Sequence, residues 1–211
     1  MKKSIALVMM AVLLVAASVM GTLAYLTSTD TVKNTFTVGK VNITLDEAEV
    51  DMNGVAVTPA KRVKKNEYKL MPGHTYNKDP MVTVLAGSEP SYIKMTVTFS
   101  KANELDAIFA PTGADLTSIF NGYDAANWIA KGNTKDAAAN TRTYEFWYKE
   151  TVGAPTADVA LDALFDSITV PGNITQEQLK TIEGMTITVT AYAIQADGFT
   201  TPDAAWAKFS N

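Results

Sequence analysis

A mainly β fold, a β-sandwich with short helices in its connections and one at the C-terminus, is predicted by two observations. Several runs alternate apolar and polar residues with period two, and strong turn signals separate them. The first run, residues 35–45 (TFTVGKVNITL), places Phe36 and Val38, then Val41, Ile43 and Leu45, on a polar background. It reads as a half-buried strand rich in Thr and Val, with Gly39 as a bulge or phase break. Residues 46–51 (DEAEVD) are acidic, and Asn53-Gly54 is a hairpin turn signal. A basic cluster follows at Lys61, Arg62, Lys64 and Lys65. Residues 68–71 then read as a strand closed by a type II turn at Pro72-Gly73.

Met81, Val82 and Val84 lead to a turn at Gly87-Ser88 and to the run 92–99 (YIKMTVTF), with Ile93, Met95, Val97 and Phe99 on one face. From 101 to 140 the period changes. Leu105, Ile108 and Phe109 have helical spacing, as does 115–120, and turns are expected at Asn121-Gly122 and Gly132-Asn133. This stretch reads as an insertion with one or two short helices and a strand around Trp128. Strands resume at 143–150 (TYEFWYKE), where Tyr144, Phe146 and Tyr148 share a face opposite Trp147. Residues 157–165 read as a loop with a short helix, and 167–170 as a short strand stopped by Pro171-Gly172. Thr175 with Gln178 forms a capping box for a helix at 175–179. The run 185–194 (MTITVTAYAI) puts Ile187, Val189, Ala191 and Ala193 on one face. Thr201 and Pro202 start the last helix.

The N-terminus predicts export. Lys2 and Lys3 precede an apolar run from 5 to 20 broken only by Ser18, and small residues close it. That order is the signature of a secretory signal peptide, with the cut expected between Ala24 and Tyr25. Left uncut, 5–26 would just reach the roughly 20 apolar residues that a membrane span needs, and the membrane would be met only through that segment. Ser18, Gly21 and Thr22 favour cleavage. Removing 1–24 leaves 187 of the 211 residues, read as a single domain, and moves the formal charge from −4 to −6. An acidic chain has no footprint for nucleic acid or an anionic membrane surface. With no cysteine, disulfides, thiol catalysis, thiolate metal sites and lipid attachment through a cysteine are all excluded.

The residues also carry a resemblance. Residues 24–30 and 34–39 (NTFTVG) resemble the signal junction of TasA/camelysin-type proteins of Gram-positive bacteria. Further matching stretches are Met71-Pro72-Gly73 with Lys78-Asp79-Pro80, then 82–84, 91–94, 165–168 and 191–196. The resemblance implies a jelly-roll sandwich, export through a SipW-type signal peptidase and, by analogy with TasA, extracellular fibres in a biofilm matrix. It suggests a structural subunit that self-associates, or binds a matrix partner, at the cell surface. In the proposed mechanism the N-terminal strand, anchored by Phe36 and Val38 and continued by Val41 and Ile43, adds to a sheet edge of a neighbour. The competing reading pairs 35–45 within its own sandwich and leaves a monomer.

Catalytic chemistry is not expected, nor any cofactor or metal. Camelysin relatives have been labelled metalloproteases, yet this chain has one histidine, His74, in a turn and read as solvated, and no H-E-x-x-H motif. No G-x-S-x-G elbow or phosphate-binding glycine loop occurs. Asp46, Glu47, Glu49 and Asp51 are the densest acids, read as a solvated loop or edge-strand face without calcium-loop spacing. The cluster 61–65 suits either an acidic partner or an edge strand charged against aggregation. A non-catalytic module for cell-wall or host glycans, using Trp147 or Trp128, is the alternative function. Residues 208–211 carry no sortase-type signal, so covalent anchoring by that route is not expected.

Overall fold

Alternation decides where the core lies. In the computed structural model, which describes residues 8–10, 39–109 and 116–209, the run YIKMTVTF lies in a ten-residue strand with Ile93, Met95, Val97 and Phe99 fully buried. Burying each such side chain contributes roughly 1.5–3 kcal/mol. The chain divides into a unit Met1–Thr37 and a unit Val38–Asn211. Of the first, only 8–10 are described, as helix. The expected apolar span, the cleavage site at Ala24 and Tyr25, and the anchors Phe36 and Val38 lie outside the described residues. No helix among the described residues is long and apolar enough to cross a membrane.

Among its described residues the second unit is mainly β, with three antiparallel sheets, three short α-helices and one 3-10 turn at Leu116–Ile119. The first sheet runs β2-β1-β4-β9, from β1 (Ile43–Ala48), β2 (Arg62–Val63), β4 (Met81–Val84) and β9 (Val159–Ala160). The second runs β3-β10-β6, from β3 (Thr75–Asn77), β6 (Phe120–Asn121) and β10 (Ser167–Thr169). The third runs β11-β5-β8-β7, from β5 (Ser91–Ser100), β7 (Trp128–Asp136), β8 (Thr141–Tyr148) and β11 (Ile187–Gln195). The helices are α1 (Ala102–Phe109), α2 (Gln176–Thr181) and α3 (Pro202–Trp206). They lie in connections and near the C-terminus, in the arrangement expected of a β-sandwich with connecting helices.

One core holds the unit together. Val82 and Val84 from β4 meet Ile93 to Phe99 from β5, Tyr144 and Phe146 from β8, and Leu164 and Phe165. Ile187, Val189, Ala191 and Ala193 of β11 pack on it from one face, as their alternation required. The other face of the third sheet carries a smaller cluster, in which α3 lays Trp206 and Ala205 over Tyr92, with Trp147 and Tyr192 alongside. Thr201 caps α3 from its side chain, and Pro202 supplies a residue that needs no N–H there.

Several expectations change on contact with the fold. The first strand among the described residues runs 43–48, where β4 supplies partners for Ile43 to Asp46 and β2 extends the pairing to Ala48. Of the expected run 35–45, residues 39–42 form no strand and 35–38 lie outside the described residues. Residues 68–71 form no strand; the turn after them is present, with Gly73 at φ +71. Gly132-Asn133 is not a turn but lies inside β7, where the register shifts between Ala130 and Gly132. The chain reverses instead at 137–140, with Asp136 accepting the N–H groups of Ala138 and Ala139 and Asn140 at φ 51. The helix expected within 157–165 is absent among the described residues; Val159 and Ala160 pair with β4.

Candidate functional site

A groove of about 1170 Å³ opens between the first and third sheets. One wall is β1, and the other is β11, preceded by α2 and the turn at 183–186. Its apolar lining comes from Ile43, Leu45, Leu70, Ile168, Leu179, Met185, Ile187, Val189 and Ala191. Its rim is charged, from Lys64, Lys65 and Glu67 on one side and Lys180 and Glu183 on the other.

Among the described residues both walls have a strand edge with no strand beside it. β11 ladders with β5 along one edge for its whole length, and no strand among the described residues pairs with its other edge. β1 pairs with β4 from Ile43 to Asp46, while β2 meets it only at Glu47 and Ala48. The opposite edge of β1 from Ile43 to Asp46 is therefore without a strand partner among the described residues. Open edges of this kind are templates for a further strand. The half-buried side chains of Ile43, Leu45, Ile187, Val189 and Ala191 present period-two apolar surface to it.

Of the assembly residues expected from the sequence, Val41 is half-buried in the irregular lead-in and Ile43 opens β1 opposite Val84. The lead-in is extended: Lys40 and Asn42 accept hydrogen bonds from the N–H groups of Glu89 and Leu85, at 2.9 Å each. The chain therefore runs from residue 40 into β1 alongside the β4–β5 connection, which crosses from the first sheet to the third.

The acidic run is not a solvated loop. Glu47 is 8% exposed and receives Lys78 Nζ at 2.5 Å, itself on a residue 5% exposed. Asn66 Nδ2 donates to the other Glu47 oxygen at 3.0 Å. Asp46 and Asp79 hold Arg62, at 2.8 and 2.5 Å. Burial works against the guanidinium charge, but the two carboxylates outweigh it and raise the Arg62 pKa. Glu49 faces Lys61 at 3.9 Å. Asp51 closes the Asn53-Gly54 hairpin by accepting the N–H groups of Asn53 and Val55, both at 2.9 Å. The Val55 bond foremost lowers its pKa. Arg62 thus sits on an edge strand, where it pairs with its own acids.

His74 is half-buried rather than solvated. Its Nε2 donates to the Asn53 carbonyl at 2.7 Å, and its ring meets Tyr76 edge-on at 4.6 Å. Among the described residues no group of three or more His, Asp or Glu is placed to hold a metal ion. Trp128 is 1% exposed, and its indole donates to the Asp162 carbonyl at 3.1 Å. Trp147 is half-buried, with Lys131 Nζ 3.9 Å from its ring centroid and Trp206 beside it. The buried Trp128 has no open face for stacking a sugar.

Lys78, Asn66 and Tyr68 were not singled out from the sequence as site residues. Lys78 stood out only within Lys78-Asp79-Pro80, and an irregular segment such as 64–74 carries no periodicity to mark Asn66. The chain matches no family model, no curated protein and no solved structure.

Proposed function

We propose that this chain is a structural subunit that assembles by taking an extended segment of a second copy into the groove between β1 and β11. The observation that carries this is the pair of strand edges, open among the described residues, beside one groove with an apolar lining. A strand entering there would hydrogen-bond to one of the edges and bury alternate side chains. The occupant is the segment 34–39 (NTFTVG) of another copy, with Phe36 and Val38 as the apolar anchors. Within one molecule that segment would have to reverse between residues 38 and 40 to lie beside the strand it leads into. Donation to a neighbour needs no reversal, and a head-to-tail contact that does not close yields filaments.

In this proposal the chain is exported, a SipW-type peptidase cuts between Ala24 and Tyr25, and the freed segment becomes available for donation outside the cell. The likeness to TasA/camelysin-type proteins, with its jelly-roll arrangement and matrix role, supports the same reading and rests on the quoted motifs alone.

The test compares protein beginning at Tyr25 with protein beginning at Gly39, by size-exclusion chromatography and negative-stain microscopy. The first is expected to form large oligomers or filaments and the second folded monomers. Phe36→Asp with Val38→Asp in the longer form is expected to give monomers too. A longer form that stays monomeric at high concentration overturns the proposal.

A further inference from the structure

Three side chains from three segments converge at the groove wall. Glu47 lies near the end of β1, Asn66 in the irregular run between β2 and β3, and Lys78 directly after β3. Lys78 Nζ donates to one Glu47 oxygen at 2.5 Å, and Asn66 Nδ2 donates to the other at 3.0 Å. One carboxylate therefore holds an amine and a carboxamide nitrogen together. The Lys78 and Glu47 side chains are only 6% and 10% exposed. The Asn66 carboxamide is fixed from both ends: Oδ1 accepts the Val50 N–H at 3.0 Å, and Nδ2 also donates to the Ala48 carbonyl at 2.8 Å. Tyr68 adjoins the group, and burial, with Glu47 nearby, pushes its hydroxyl well above the ordinary range.

A buried ion pair is costly unless it is well bonded, and neutralising Lys78 needs only Glu47. The fixed amide beside it adds what a reaction requires: a nucleophile, an electrophilic carbon and a proton carrier touching both nitrogens. We infer that Lys78 and Asn66 join through an isopeptide bond, formed by the chain itself with Glu47 as the catalytic residue.

The step balances without any co-reactant. The Glu47 carboxylate takes a proton from the Lys78 ammonium, and the free amine attacks Asn66 Cγ. The Nζ–Cγ bond forms, and negative charge gathers on Oδ1, where the Val50 N–H receives it. Glu47 passes protons from Nζ to Nδ2, the Cγ–Nδ2 bond breaks, and ammonia leaves. Ammonia carries off the last proton as ammonium, and Glu47 ends as the carboxylate it began as. Nothing is oxidised or reduced. The product ties the irregular run 64–74 to the β3–β4 connection. In a chain without cysteine, this is a covalent staple that needs no oxidant.

The first readout is the mass of the folded wild-type protein, beginning at Gly39 or earlier, and of its tryptic peptides. The expected mass is lower than the sequence requires by one ammonia, with the Asn66 and Lys78 peptides joined. Glu47→Gln is expected to keep the full mass and separate peptides. Asn66→Asp is expected to lose one water in place of the ammonia. Asn53-Gly54 can also lose ammonia by cyclising on itself, so tandem spectra must place the loss. Full mass in the folded wild type overturns the inference, as does a loss confined to Asn53 with no joined peptide. Both outcomes are independent of whether the chain assembles.

Discussion

Phe99 has no exposed surface, and its ring meets Tyr144 edge-on at 5.9 Å and stacks with Phe120 at 6.0 Å. Phe99→Ala removes these contacts and leaves a cavity, so urea unfolding is expected to show a loss of about 3–5 kcal/mol. A second residue tests electrostatics. Burial raises the Asp106 carboxyl, but the bonds from Lys135 at 2.8 Å and Arg142 at 2.7 Å outweigh it and hold the pKa below its ordinary 3.8. A depressed folded pKa contributes stability above the ordinary carboxylate range, and that contribution is lost as pH falls through the folded value. Asp106→Asn is therefore expected to cost about 1 kcal/mol at neutral pH, with the difference from wild type closing in strong acid. A difference that persists unchanged there would show that the charge is not what matters. Burial of the large alternating apolars was legible at this scale, whereas the burial of Glu47 was not. A carboxylate in an acidic run reads as solvated until Lys78, 31 positions away, is brought onto it.

Strands long enough to show several alternations, such as β5, β8 and β11, were legible because each repeats one buried face. β2, β3 and β9, of two or three residues, were not, since their existence depends on a partner strand rather than on their own pattern. Local chemistry read well where it closes within a few residues. Thr175 accepts the Gln178 N–H at 3.2 Å, and Gln178 accepts the Thr175 N–H at 2.9 Å, which starts α2 as its capping box required. Thr175→Ala is expected to cost about 1 kcal/mol and to speed amide exchange in α2 before the sheets. Gly54 is a stricter case. It sits at φ +75, and a Cβ there would lie 2.6 Å from the Tyr76 Cα. Gly54→Ala therefore combines backbone strain with a clash against buried backbone. The expected loss is about 2 kcal/mol or more, read as a lowered thermal midpoint.

At the scale of the whole molecule, the groove was not legible, because it is formed by edges contributed from β1 and β11, far apart in sequence. Its meaning turns on which residues belong to the subunit and which are free to leave it. Ile43 and Leu45 pair with Val84 and Val82 and pack on the core, so they belong to the subunit. Protein beginning at Asp46 would strip that ladder from β4 and uncover Val82 and Val84, both fully buried. It would also leave Glu47 as the second residue of a frayed end, with Lys78 buried beneath it. Losing two half-buried aliphatic side chains and the buried contact of Glu47 with Lys78 adds to about 3–5 kcal/mol, a large share of the roughly 5–15 kcal/mol that holds a domain folded. Protein beginning at Gly39 is therefore expected to unfold cooperatively in urea with sharp near-ultraviolet dichroism, and protein beginning at Asp46 to lose both. If the Asp46 form is as stable as the Gly39 form, Ile43 and Leu45 are dispensable to their own sheet. The donated segment would then extend through them, and the groove would be open along the whole of β4 as well as β11.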